Sequence, residues 1–116
     1  MAQAELLGTL DVPMICYDPG NYEGPIPCLV SDDTAIGELA ADHLIEQGHR
    51  NFAFCGYGAL AWSQTRRKSF SARLSENGFS LEAMPPRKEP TNWSKEEKVI
   101  EGWLHDLPKP IGIFCA

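Results

Sequence analysis

Nothing in this sequence approaches the run of about 20 apolar residues that crosses a bilayer, so no transmembrane helix is expected. The opening stretch, MAQAELLGTLDVP, has neither a basic start nor a long apolar core. It does not read as a secretory leader, and the expected compartment is the cytoplasm, with no membrane partner. Positive charge is scarce: 10 Lys and Arg against 16 Asp and Glu leave a net charge of −6. Such a chain gains nothing from approaching a phosphate backbone, so these residues are not expected to bind DNA or RNA themselves. Cysteine is present but unpatterned. Cys16, Cys28, Cys55 and Cys115 lie far apart with no C-x-x-C spacing, and His43, His49 and His105 show no metal-ligand spacing. The cysteines are expected to be reduced core residues, and no metal or cofactor is called for. No Ser-His-Asp or Cys-His set stands out either, so nothing demands an enzyme.

What is present fits one small α/β domain of 116 residues. The stretch from Ser31 to Gly78 organises it. Ser31, Asp32 and Asp33 supply N-cap oxygens and negative charge at the start of a helix. Ile36, Leu39, Ala40, Leu44 and Ile45 recur at helical spacing, and Gly48 ends the helix. A strand from Asn51 to Cys55 leads to the turn Gly56-Tyr57-Gly58 and a second helix from about Ser63 to Asn77. The apolar face of that helix is thin, Phe70 and Leu74, and Arg66, Arg67, Lys68 and Arg73 make it basic. Phe79 to Ala83 and Ile111 to Cys115 read as further strands, with Met84 to Pro90 as a loop. Between them lies a third helix that Ser94 and Glu97 could open as a capping box. Its core face would be Val99, Ile100, Trp103, Leu104 and Leu107, with Trp93 and Trp103 as packing residues. Before Ser31, Val12 to Tyr17 reads as a buried strand, residues 18–27 as a Pro- and Gly-rich loop, and Met1 to Leu10 as the tail of a helix. Helices alternating with strands imply parallel crossovers, in the strand order 79–83, 51–55, 111–115.

Three groups could bind a small molecule. Gly56-Tyr57-Gly58-Ala59-Leu60-Ala61 fits G-x-G-x-x-A between a strand and a helix, as in a nucleotide-cofactor domain, although a turn that needs small residues explains it as well. Trp62, Gln64 and Arg66 surround the start of the second helix. An indole can stack on the C–H face of a sugar, while Gln and Arg donate to hydroxyls; Trp62 and Arg66, four apart, share a helix face. The plain alternative is a packing Trp62 beside a solvated Arg66. Asp18 follows the first strand, where a carboxylate can accept bonds from ligand hydroxyls, or can simply form the turn before Pro19. Asp32 and Asp33 read as helix caps.

VSDDTAIGELAADHLIEQGHRNFAFCG resembles the LacI/GalR family of sugar-responsive regulators. Asp32, His43, Leu44, Gly48, His49, Arg50 and Gly56 match the family pattern of an aspartate-led helix, a Gly-His turn and a short strand, and VPMICYD matches its first-lobe strand. A narrower similarity is to xylose-operon activators, in Trp62, Arg66, Phe70, the pair Asn92-Trp93, and WLHDLPKPIGIFCA. The resemblance implies a periplasmic-binding-protein-like (type I) two-lobed fold, of which this chain is a fragment. Residues 1–30 would end the first lobe and cross the hinge, and residues 31–116 would form part of the second. It also implies a sugar effector bound in the cleft between the lobes, a pentose such as xylose, DNA contact only through a domain outside this chain, and a homodimer at full length. Asp18, Trp62, Gln64 and Arg66 would be the ligand contacts, with Gln64 and Arg66 competing for the family's arginine position. On this resemblance the chain alone should bind sugar poorly, and residues 1–27, without their native sheet, should be poorly packed or exchange with a neighbouring chain.

Overall fold

A computed structural model describes residues 9–18, 20, 22–84 and 92–116. The chain divides into two units, Met1–Asp32 and Asp33–Ala116. The first holds two short strands, β1 (Cys16–Tyr17) and β2 (Cys28–Leu29), paired in parallel with Cys16 opposite Cys28 and Tyr17 opposite Leu29. The Cys16 and Asp18 N–H groups donate to the carbonyls of Pro27 and Leu29 at 2.9 and 3.0 Å. The expected buried strand over Val12 to Tyr17 is therefore much shorter than its apolar pattern, and it is not buried. Ile15 is 73% exposed and Tyr17 70%. The physical reason is that a two-stranded ladder offers no second layer to bury against. Pro13 also brings no N–H with which to extend it. The helix tail expected over Met1 to Leu10 falls outside the described residues except for Thr9 and Leu10, which are non-helical.

The second unit contains α1 (Asp33–Glu46), β3 (Phe52–Cys55), α2 (Ala61–Glu76), β4 (Leu81–Ala83), α3 (Trp93–Asp106) and β5 (Gly112–Cys115). Its three strands lie in the order β4-β3-β5, all parallel, as the alternation of helices and strands requires. Phe52 sits opposite Leu81 and Gly112, and Phe54 opposite Ala83 and Phe114. The core gathers Ala41, Phe52, Phe54, Phe70 and Leu74. Phe70 meets Phe114 edge-on at 5.2 Å between centroids, Phe54 meets Phe114 at 5.6 Å, and Phe52 meets Phe79 at 5.0 Å, all favourable aromatic geometries. So the two apolar residues of the thin face of α2, Phe70 and Leu74, are both fully covered.

Helix α1 approaches α2 through Gly37. A Cβ there would collide with Ser69 Oγ and the Arg66 carbonyl, so only glycine permits this helix spacing. The contact stripe of α1 consists of Gly37 and Ala41, both buried, with Ala40, Leu44 and Ile45 beside them. Leu39 was expected on that stripe but is 71% exposed. Two residues from both Gly37 and Ala41, it lies roughly opposite them around a helix of 3.6 residues per turn. Both helices close in the same way. Gly48 and Gly78 have φ of +87° and +81°, and the residues after them, His49 and Phe79, donate back to the carbonyls of Leu44 and Leu74. This is the glycine stop that local sequence announces.

Helix α3 departs from expectation at its start. Its N-cap is Asn92, whose side chain accepts from the Lys95 N–H at 3.3 Å, rather than Ser94 with Glu97. Asn is at least as good a cap as Ser, and it comes first along the chain. The helix has no buried residue, Val99 is 55% exposed and Trp93 64%, so neither serves as a core residue. The cysteines are corrected as well. Cys28 and Cys115 are exposed and Cys16 and Cys55 half-buried, because each is the first or last residue of a short strand rather than part of its covered middle.

Candidate functional site

The first two turns of α2 and the β3–α2 turn form the candidate site. The helix begins at Ala61, two residues earlier than its sequence suggests, with Leu60 as an N-cap that offers no side-chain oxygen. Ser63, inside the first turn, does not cap the helix but braces the turn before it. It is 1% exposed, its hydroxyl accepts from the Tyr57 N–H at 2.9 Å, and it donates to the Ala116 carbonyl at 2.7 Å. One hydroxyl thus ties the turn to the end of β5. Gly56 has no room for a side chain: a Cβ would meet the Ala116 carbonyl, Phe54 and Ser63 Oγ. Its glycine is explained by this close approach within the fold, without a pyrophosphate.

The sequence candidates on α2 separate into two groups. Trp62 and Arg66 share one face, as their spacing predicts. The Arg66 guanidinium carbon sits 4.8 Å from the Trp62 ring centroid, a cation–π stack. Arg66 Nε donates to Asp33 Oδ1 at 2.8 Å, in an ion pair whose side chains are 23% and 19% exposed. Asp33 therefore does more than begin α1: it fixes the arginine against the indole. With Nε taken by Asp33, the two Nη groups are the other donors of the fork. The stack occupies one face of Trp62, whose side chain is half-buried.

Gln64 points elsewhere. Its Nε2 donates to the Gly58 carbonyl at 2.6 Å, and its Oε1 accepts from Arg67 Nη2 at 3.3 Å. Gln64, Arg67, Ser63, Tyr57, Gly58, Phe54 and Met84 line a small concavity of about 20 Å³. That is room for about one water molecule, so a sugar would lie over it rather than within it. Arg67 and Ser63 escaped the sequence reading. Arg67 stands beside Arg66 with nothing local to rank it higher, and Ser63 acts through residue 116, which only the fold brings close.

Asp18 belongs to the other unit. It is exposed and adopts φ +49°, a left-handed conformation that Asp tolerates better than most residues. This turns the chain sharply just past β1. Among the described residues, no three His, Cys, Asp or Glu side chains are grouped to hold a metal ion, and no helix is long and apolar enough to cross a membrane.

Residues 41–116 match the sequence profile of the periplasmic binding protein-like domain. The chain belongs to this family. Its members' parallel sheet and flanking helices are those described above, and the likeness to LacI-type regulators carried by Ser31 to Gly56 is borne out by individual relatives. The xylose operon regulatory protein of Haemophilus influenzae is 29% identical over 97% of this chain. That of Escherichia coli K12 is 26% identical over the same share. The chain spans 31%, about a third, of the length of each of these proteins. Among solved structures, a PurR family transcriptional regulator from Vibrio parahaemolyticus superposes with a TM-score of 0.66 at 20% identity, covering 100% of this chain and 44% of that one. A periplasmic binding protein/LacI transcriptional regulator from Alkaliphilus metalliredigens, complexed with D-xylulofuranose, gives 0.52 at 17% identity over 94% of this chain and 51% of that one. Both structures share the α/β fold.

Proposed function

We propose that this chain is part of the effector-binding sensor of a non-enzymatic, cytoplasmic transcription regulator, and that its effector is a pentose such as xylose. Residues 1–30 would close the first lobe and cross the hinge, and residues 31–116 would supply part of the second. The sugar would rest on Trp62, with Arg66 donating to its hydroxyls, Gln64 adding the second Nε2 hydrogen that its bond to the Gly58 carbonyl leaves over, and Asp18 accepting from them. DNA would be bound by a domain outside this chain, in a homodimer.

The observation that carries this reading is the Asp33–Arg66–Trp62 stack. An arginine already held in place loses little freedom on meeting a ligand, and its planar fork suits adjacent hydroxyls. The names of the xylose operon relatives support the choice of a pentose. The competing reading, a nucleotide cofactor on Gly56-x-Gly58-x-x-Ala61, loses support because Gly56 is required by the Ala116 carbonyl and Ser63.

Thermal melting of the full-length protein that carries this chain, against pentoses, hexoses, nucleosides and NADH, tests the proposal. A ligand at 100 times its Kd stabilises the folded state by about 2.7 kcal/mol, a shift of a few degrees. A shift with xylose or another pentose is expected. A shift with NADH alone would replace this reading with the cofactor domain.

A further inference from the structure

The four cysteines that the sequence scatters are drawn by the two sheets into two in-register pairs, Cys16 opposite Cys28 and Cys55 opposite Cys115. The second pair has a third sulfur beside it. Met84 directly follows β4, where Ala83 is the partner of Phe54, so Met84 comes level with Cys55. Its N–H donates to the Phe54 carbonyl at 3.3 Å, and its Sδ lies 4.0 Å from Cys55 Sγ. Register partners on parallel strands project to the same face, about 4.8 Å apart. The carboxyl edge of the sheet thus carries a thioether, a thiol and a second thiol in one row across β4, β3 and β5.

We propose that Met84, Cys55 and Cys115 form a binding site for a soft monovalent metal ion, copper(I). Thiolate and thioether ligands select this ion over harder ones. A trigonal centre with metal–sulfur bonds of about 2.3 Å holds its ligands about 4 Å apart, which is the separation already present between Met84 and Cys55. Zinc would need a fourth ligand in a tetrahedron, and no group of three or more His, Cys, Asp and Glu converges among the described residues. Cys115 is exposed and gives the ion its way in, while Met84, at the other end of the row, is buried. Each thiol must lose its proton to solvent on binding, so uptake of one copper(I) releases two protons. The site does not rest on the sugar reading, although Met84 also lines the concavity beside Gln64.

The test is anaerobic copper(I) titration of the reduced chain against bicinchoninate as a coloured competitor. The parent for the series is the Cys16→Ser/Cys28→Ser double variant, which removes the other thiol pair. It should take up one equivalent of copper(I). Adding Cys55→Ser or Cys115→Ser should weaken uptake at least 100-fold, and Met84→Leu about tenfold, with helical circular dichroism unchanged. Loss of uptake in the double variant alone would overturn the proposal. So would full uptake by the Cys115→Ser variant, or an affinity in Met84→Leu equal to the parent's.

Discussion

In the unit Asp33–Ala116, Phe52, Phe70 and Leu74 are wholly covered; in Met1–Asp32, Val12, Ile15, Tyr17, Leu29 and Val30 are 58–73% exposed. Both units began from similar apolar, β-branched and aromatic runs. What separates them is the second layer. Phe54 on β3 has strands on either side of it and Phe70 of α2 within ring contact. Among the described residues the pair β1–β2 has only itself, and a lone two-stranded ladder does not bury its side chains. An apolar run in sequence states a capacity for burial, and the neighbouring elements decide whether that capacity is used.

The largest test of this contrast pairs one residue from each unit. Phe70→Ala should cost about 3–5 kcal/mol in urea unfolding, because it opens a cavity between Phe54, Phe114 and Leu74. Ile15→Ala should change stability by no more than about 0.5 kcal/mol, as exposed substitutions do. Comparable losses for the two would break the comparison.

A finer contrast lies within the second unit and turns on two helical glycines. Gly37→Ala should destabilise by about 1–3 kcal/mol, since the methyl group meets Ser69 and the Arg66 carbonyl. Gly102→Ala, in α3, meets nothing within 4 Å and should stabilise by about 0.5–1 kcal/mol through helix propensity. Opposite signs would sharpen the view that α1 and α2 carry the stability while α3 lies loosely against the rest. Equal signs would contradict it.

The smallest effect concerns the exposed unit. Desolvation, followed by the adjacent Cys16 sulfur, raises the Cys28 thiol above its ordinary value of 9.0. The folded state therefore holds this proton more tightly than the unfolded chain does. Its contribution to stability is present below the ordinary value and fades as pH rises through the raised one. At pH 8.5, iodoacetamide should alkylate Cys28 more slowly in the native chain than in urea, since only the thiolate reacts. Equal rates would mean that β1 and β2 do not hold the two sulfurs together in solution.

Much of the second unit was legible in advance. Helical spacing, Gly48, Gly78 and the alternation of elements are local or nearly local signals, and they led to the right strands in the right order. The cap of α3, the exposure of Leu39 and the weakness of β1 were not legible, because each depends on a competing neighbour or a missing layer. In the candidate site, the shared face of Trp62 and Arg66 followed from their spacing. The part played by Asp33 did not, because the contact joins residues 33 positions apart. Ser63 reaches still further, to Ala116. The pairing of the cysteines was invisible for the same reason: strand register, which places them side by side, is a property of the assembled sheet.

The central claim is that the start of α2 carries a sugar-binding surface, and the most direct measurement is a ¹H–¹⁵N titration of the chain with D-xylose. The account predicts a saturable shift of the Trp62 indole N–H together with the Arg66 Nε–H, even at the weak affinity expected of a partial cleft. No shift at Trp62, Gln64 or Arg66 with any pentose, while NADH moves the Gly56 and Gly58 amides, would contradict it.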